Sequence, residues 1–154
     1  MKLTPSAVAF YGGAYPHWVP EGQGGGTTGT LLFAGDLMLA DGPGQTIAAG
    51  RDPLAPFAAI LDAADYRIGN LEVPVASGGR PHASKIATFR ADPRVVNALH
   101  GRFDAVSLAN NHSGDYGHDA FVETMRHLAN TGIAYFGGGH NLAEAHRPLW
   151  IEKN

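Results

Sequence analysis

Three short apolar runs in this chain each end on a cluster of polar residues, and no other feature restricts the fold as much. Residues 30–35 (TLLFAG) run into Asp36, residues 66–69 (YRIG) into Asn70 and Glu72, and residues 103–109 (FDAVSLA) into Asn110, Asn111 and His112. Short apolar runs bounded by turn formers suit buried strands. Helical patterns lie between them. Asp52-Pro53 opens one, with Asp as N-cap and Pro in the first turn, and Phe57, Ile60, Leu61 and Ala64 share its apolar face. Asp92-Pro93 opens a second, carried by Val95, Val96 and Leu99. Residues 119–130 form the clearest helix, with Phe121, Met125 and Leu128 on one stripe and a stop at Gly132. Residues 133–136 read as a strand, Gly137-Gly138-Gly139 as a tight turn, 141–145 as a short helix capped by Asn141, and 148–152 as the start of another strand.

Alternating strands and helices of this kind predict an α/β domain with βαβ units and a mostly parallel sheet. Ligands of open α/β sheets bind beyond the carboxyl ends of the strands. The three polar clusters all fall there, so they can converge on one site.

Composition narrows the class. A chain of 154 residues with 44% hydrophobic and 16% charged residues can bury the core of one domain. A net charge of −3 gives no electrostatic footprint for nucleic acid. Without cysteine there is neither a disulfide framework nor a thiolate metal site. Residues 1–29 hold a single Lys and are interrupted by Pro5, Pro16 and Pro20, so they lack the apolar core of a signal peptide. They read as a flexible lead-in, Gly/Thr-rich from 22 to 29, ahead of a domain at 30–154. No segment is long enough to span a bilayer, and the chain as written is expected in the cytoplasm.

The strand-end residues differ in how much chemistry they imply. Asp36, in GDLM, follows a rigid element and suits a metal ligand or general base, although an isolated Gly-Asp more often makes a turn. Asn70 and Glu72, in GNLE, are two apart and in extended chain point the same way, so they can offer two oxygens to one hard cation. A turn Asn beside a solvated Glu is the plainer alternative. ANNHSGDYG (109–117) is the most specific, because local turn chemistry accounts for one Asn but not for the whole cluster. His112 there suits an acid, base or ligand. His140 lies near the same edge, whereas His17, His82, His100, His118, His127 and His146 show no metal-ligand spacing. The triple Gly can cradle a phosphate or make a tight turn, and it lacks the Lys and Ser/Thr of a P-loop. Lys85 and Arg90 can steer an anionic substrate or be plain surface charges.

The ordered set GD-L-M, GNLE-x-P, ANNHxxDYG and GGGxN-x-x-E-A-x-R-P, from about Leu31 to Trp150, resembles the bacterial CapA family of capsule and poly-γ-glutamate synthesis proteins. That family is similar to calcineurin-like metallophosphoesterases, α/β sandwiches with metal ligands on loops after the strands. The resemblance implies a metallophosphoesterase-like sandwich, incomplete here, because the family's later His-rich motifs and second-sheet strands lie beyond this chain. It therefore implies an exposed apolar face and an unstable, inactive fragment.

The resemblance also assigns roles. Asp36 resembles the first-motif aspartate, Asn70 and Glu72 the second motif, and Asn111 the third-motif metal-ligating Asn. His112 resembles the neighbouring His that assists the leaving group. The implied cofactor is a divalent Mn, Fe or Zn ion. The implied partners are a phosphoester or polyanionic polymer substrate and membrane-associated synthases, at the cell envelope. Two residues depart from the phosphoesterase pattern. Met38 stands where a His is expected, and a thioether is a poor ligand for hard cations; Asn70 stands where an Asp is expected. Three readings follow: a metal-dependent hydrolase, a metal-free acid/base enzyme using Asp36, Glu72 and His112, or a non-catalytic polymer-binding module.

Overall fold

The structure is a computed structural model that describes residues 29–151; the lead-in expected at 1–29 lies, apart from Gly29, outside the described residues. Chain order is β1 (Leu31–Asp36), α1 (Asp41–Ala48), a 3-10 turn (Ala55–Phe57), α2 (Ala58–Asp62), β2 (Tyr66–Asn70), α3 (Val95–Leu99), β3 (Ala105–Ser107), α4 (His118–Thr131), β4 (Ala134–Phe136) and α5 (Leu142–Ala145). The strands form one four-stranded sheet in the order β1-β2-β3-β4, every pair parallel. This is the α/β architecture with βαβ units that the alternation predicts, and it is consistent with a metallophosphoesterase-like fold.

Sheet order equals chain order, so every crossover steps in the same direction. Right-handed crossovers then place their helices on one face. The core bears this out. Leu32 and Ala34 of β1, Val106 of β3 and Tyr135 of β4 pack with Leu61, Val95, Val96, Leu99, Met125 and Leu128. Fully burying a leucine such as Leu99 or Leu128 contributes about 1.5–3 kcal/mol. The alternate residues of β1 face the other way, and Leu31 and Phe33 are 38% and 56% exposed. The buried strand expected over 30–35 is thus an edge strand covered on one face only. An apolar run cannot reveal which of its two faces will be packed.

Helix boundaries follow local chemistry. The Asp52 carboxylate accepts from the Leu54 N–H (2.8 Å), and this turn delays the helix expected at Asp52-Pro53 until the 3-10 turn at Ala55. α4 begins and ends within a residue of its sequence pattern and closes at Gly132, whose φ of 73° is left-handed. Asn141 caps α5 by accepting from the Glu144 N–H at 2.9 Å. α1 has no apolar periodicity, and Ile47 is the residue that ties it to the core. No strand forms at 148–151; Leu149 makes only an isolated bridge, and residue 152 is outside the described residues.

The segment from Leu71 to Arg94 wraps back over α4. Buried Thr124 accepts from the Val75 N–H at 2.8 Å, and Glu123 accepts from the Ser77 hydroxyl at 2.8 Å. Among the described residues, no helix is long and apolar enough to cross a membrane.

Candidate functional site

The strand ends are held level by hydrogen bonds just past each strand. Leu37 N–H donates to Asn70 O (2.7 Å), Leu71 N–H to Ser107 O (3.0 Å) and Leu108 N–H to Phe136 O (2.9 Å). The β1–β2 register shifts between Phe33 and Asp36, which brings Asp36 opposite Asn70. Close packing beneath requires Gly69: a Cβ there would lie 2.5 Å from Leu37 Cδ1. The first two polar clusters are therefore side by side on one rigid edge.

Their side chains form a connected row. Asn70 Nδ2 donates to Asp36 Oδ1 at 2.8 Å and to Glu72 Oε2 at 3.5 Å. Asn70 Oδ1 accepts from Asn110 Nδ2 at 3.0 Å, so the third cluster joins the first two. Two carboxylates flank one amide. Hydrogen bonds from Asn70, and then from Glu72, hold the Asp36 carboxyl below its ordinary range. A hydrogen bond with Asp36, then desolvation and the Asp36 charge, hold Glu72 above its own, with His112 opposing. The two carboxyls are thus shifted in opposite directions.

His112 is fixed by a second network. Its Nδ1 pairs with Asp115 Oδ2 at 2.8 Å, and its ring packs edge-on against Phe89 with centroids 5.1 Å apart. Asp115 has 0% exposure and also accepts from the Phe89 N–H at 2.7 Å and from the Lys85 ammonium. Burial pushes the Asp115 carboxyl up, and the bonds from Lys85, Phe89 and His112 outweigh it, leaving the group below its ordinary range. A carboxylate facing Nδ1 favours a proton there. Nε2, without a hydrogen-bond partner among the described residues, is left to act.

The other expected residues are placed as follows. Asn111 is exposed; its backbone carbonyl accepts from Lys85, and its carboxamide makes no hydrogen bond among the described residues. The expectation that Asn70 turns its oxygen to a cation meets a different geometry, since its Nδ2 faces the carboxylates. Met38 is partly buried and packs against the core. Lys85 is engaged by Asp115 rather than held out for substrate. Arg90 donates to Gly78 O (2.9 Å) and lies 4.8 Å over the Tyr116 ring. His140 is exposed, and its N–H is taken by Glu144 Oε2 at 2.9 Å. At Gly139 a Cβ would lie 2.4 Å from Glu144 Cβ, so the triple Gly is a tight turn against α5. No group of three or more His, Asp or Glu side chains with metal-site geometry occurs among the described residues.

Sequence reasoning assigned no role to Asp115 and none of its own to Asn110. Both stand inside ANNHSGDYG, and the i, i+3 spacing of His112 and Asp115 was the available signal.

Comparison with known proteins adds family context. The family model for the bacterial capsule synthesis protein PGA_cap matches residues 30–154. An uncharacterized Sinorhizobium fredii protein is 32% identical over 137 residues, which are 82% of this chain and 30% of that protein. The PGA biosynthesis protein CapA of Bacillus subtilis is 28% identical over 79% of this chain and 33% of its own length. The capsule biosynthesis protein CapA of Bacillus anthracis is 26% identical over 81% of this chain and 32% of its own length. The chain spans about a third of the length of these relatives.

Proposed function

The chain belongs to the bacterial capsule synthesis protein family PGA_cap, and from that premise we propose that its strand-end cluster is part of a hydrolase-type site. The substrate class is an anionic polymer of the polyglutamate or capsule kind, or a phosphoester, and the work is done alongside envelope synthases. The observation that carries this reading is the buried Asp115 on His112 Nδ1. A buried carboxylate with a 2.8 Å bond to an imidazole fixes the ring's orientation and favours one tautomer. A core aspartate with only a packing role would have no need of a partly exposed His. In this reading His112 Nε2 takes a proton from the attacking water or gives one to the leaving group.

The Asp36–Glu72 pair fits a divalent cation. Two carboxylates converge on one amide, and a cation between them would relieve their mutual repulsion. Asp36, Glu72 and the unengaged carboxamide of Asn111 would hold it. An all-oxygen donor set suits Mn or Fe better than Zn, and the thioether of Met38, packed against the core, adds nothing to it. When bound, such an ion polarises the scissile group and acidifies water. The same pair supports a second reading without metal, in which Asp36 is the base and Glu72 the acid, since their carboxyls are shifted apart.

Metal analysis with hydrolysis assays on polyglutamate and phosphoester substrates separates these. Stoichiometric Mn or Fe, lost in Asp36→Ala and Asn111→Ala, supports the cation reading. Metal-free protein whose activity is lost in Asp36→Ala and His112→Ala supports the second. Activity indifferent to all three substitutions overturns both and leaves a polymer-binding accessory module.

A further inference from the structure

The row of amides that ends at the carboxylates begins in a backbone turn, and the turn dictates which way each amide faces. Asn110 Oδ1 accepts from the His112 N–H and the Ser113 N–H, both at 3.0 Å. Backbone N–H groups only donate, so the Asn110 oxygen must face them. Its Nδ2 is then aimed at the Leu71 carbonyl (2.9 Å) and at Asn70 Oδ1 (3.0 Å). Asn70 must answer with its oxygen, which turns its own Nδ2 towards Asp36 and Glu72.

Reversing either amide is costly. A reversed Asn70 sets its oxygen against two carboxylates and its Nδ2 against the Nδ2 of Asn110. A reversed Asn110 sets Nδ2 against two backbone N–H groups. Partly buried polar atoms that face like partners lose their hydrogen bonds without regaining those to water, so one orientation dominates.

We infer that Asn110 and Asn70 form a locked amide relay, in which Asn70 is a positioning residue that aims N–H bonds at Asp36 and Glu72 instead of sharing a cation with them. The inference rests on the cation reading only for what the carboxylates bind; the direction of the relay stands without it. It gives the Asn at the second strand end a purpose. An Asp there would oppose two carboxylates with a third and leave Asn110 Nδ2 facing a different acceptor. Asn70 instead holds the pair in place when no cation is present. It also couples the pair to the turn that begins the His112 loop, so one backbone feature orients both halves of the site.

Side-chain amide NMR tests the relay, with 15N-labelled protein free of divalent ions. One Asn70 Nδ2 proton is expected downfield, hydrogen-bonded to Asp36, and in Asp36→Ala it should move to the position of a solvated carboxamide. In Asn110→Ala the same proton should also lose its downfield shift, although both carboxylates remain. An Asn70 amide indifferent to Asn110→Ala overturns the relay, and one indifferent to Asp36→Ala overturns its direction. Asp36 is exposed, so its variant keeps the test decisive if Asn110→Ala fails to fold. Saturation with Mg2+ should leave the Asn110 Nδ2 resonances hydrogen-bonded; their release would show that a cation had taken the Asn70 oxygen, and would refute the positioning role. If neither Mg2+ nor Mn2+ binds by calorimetry, the cation reading falls and the two cation-free arms still decide the relay.

Discussion

Replacing Asp115 by alanine removes the acceptor of three donors at once: the Lys85 ammonium, the Phe89 N–H at 2.7 Å and His112 Nδ1 at 2.8 Å. Hydrogen bonds to a charged group contribute about 1.5–3 kcal/mol each, and an orphaned buried N–H costs about 1–3 kcal/mol. These are not additive, because the Lys85 side chain is 29% exposed and can swing into water. The net expectation is a loss of about 3–5 kcal/mol, as for one partner removed from a buried pair. Asp115→Asn separates charge from shape. Whichever way that amide turns, its NH2 meets a donor, and the cheapest solution sets it against Lys85 and expels the lysine. The expected loss is then smaller, about 1.5–3 kcal/mol, with the Phe89 and His112 bonds retained. Urea unfolding followed by circular dichroism measures both, and a double-mutant cycle with Lys85→Met isolates the pair. In that cycle, Lys85→Met should cost far less in the Asp115→Ala background than in the wild type. The reasoning is refuted if Asp115→Ala costs under about 1 kcal/mol, a typical surface value, or if the two substitutions are additive.

Two further expectations follow from the packing and the charges. Gly69→Ala places a Cβ 2.5 Å from Leu37 Cδ1 and 3.2 Å from Phe103 Cε1, so it should destabilise by about 1–3 kcal/mol in the same urea assay; an unchanged midpoint would show that Leu37 moves aside freely. Acid should unfold the protein early, because Asp115 and Glu123 are held below their ordinary range in the folded state, Glu123 first by the Ser77 hydroxyl. Their contribution is complete above the unfolded carboxylate range, near pH 4, and is lost as pH falls through the lower folded values. Glu72 carries the opposite sign: its folded value is raised, so its contribution is complete at low pH and lost as pH rises through that value. A urea midpoint that does not fall between pH 5 and pH 3 would contradict the acid expectation.

Strand ends and long helices were legible because their signals are local. The stripe Phe121, Met125 and Leu128, closed by Gly132, gave α4 nearly to the residue. β2 and β3 were marked by apolar runs that stop at polar residues, and β4 by one that stops at the triple Gly. α1 was not visible, since DGPGQTIA has weak helical propensity. It forms where the chain leaving β1 is anchored by buried Leu39 and Ala40, with Ile47 against the core.

Local sequence was enough to say which residues reach the carboxyl edge of the sheet: Asp36, Asn70, Glu72 and the Asn110–His112 cluster. Where a strand stops is written in neighbouring side chains, and two-residue periodicity fixes their direction. What those residues do to one another came from the packed chain. It turned Asn70 so that its NH2 faces the carboxylates, and it drew Lys85 from 30 residues away to neutralise Asp115. It also set Asp115 behind His112 and left the Asn111 carboxamide without a hydrogen bond among the described residues. A polar side chain's role depends on whether its partner donates or accepts. Those partners come from segments that meet only when the sheet and the β2–α3 loop pack against α4.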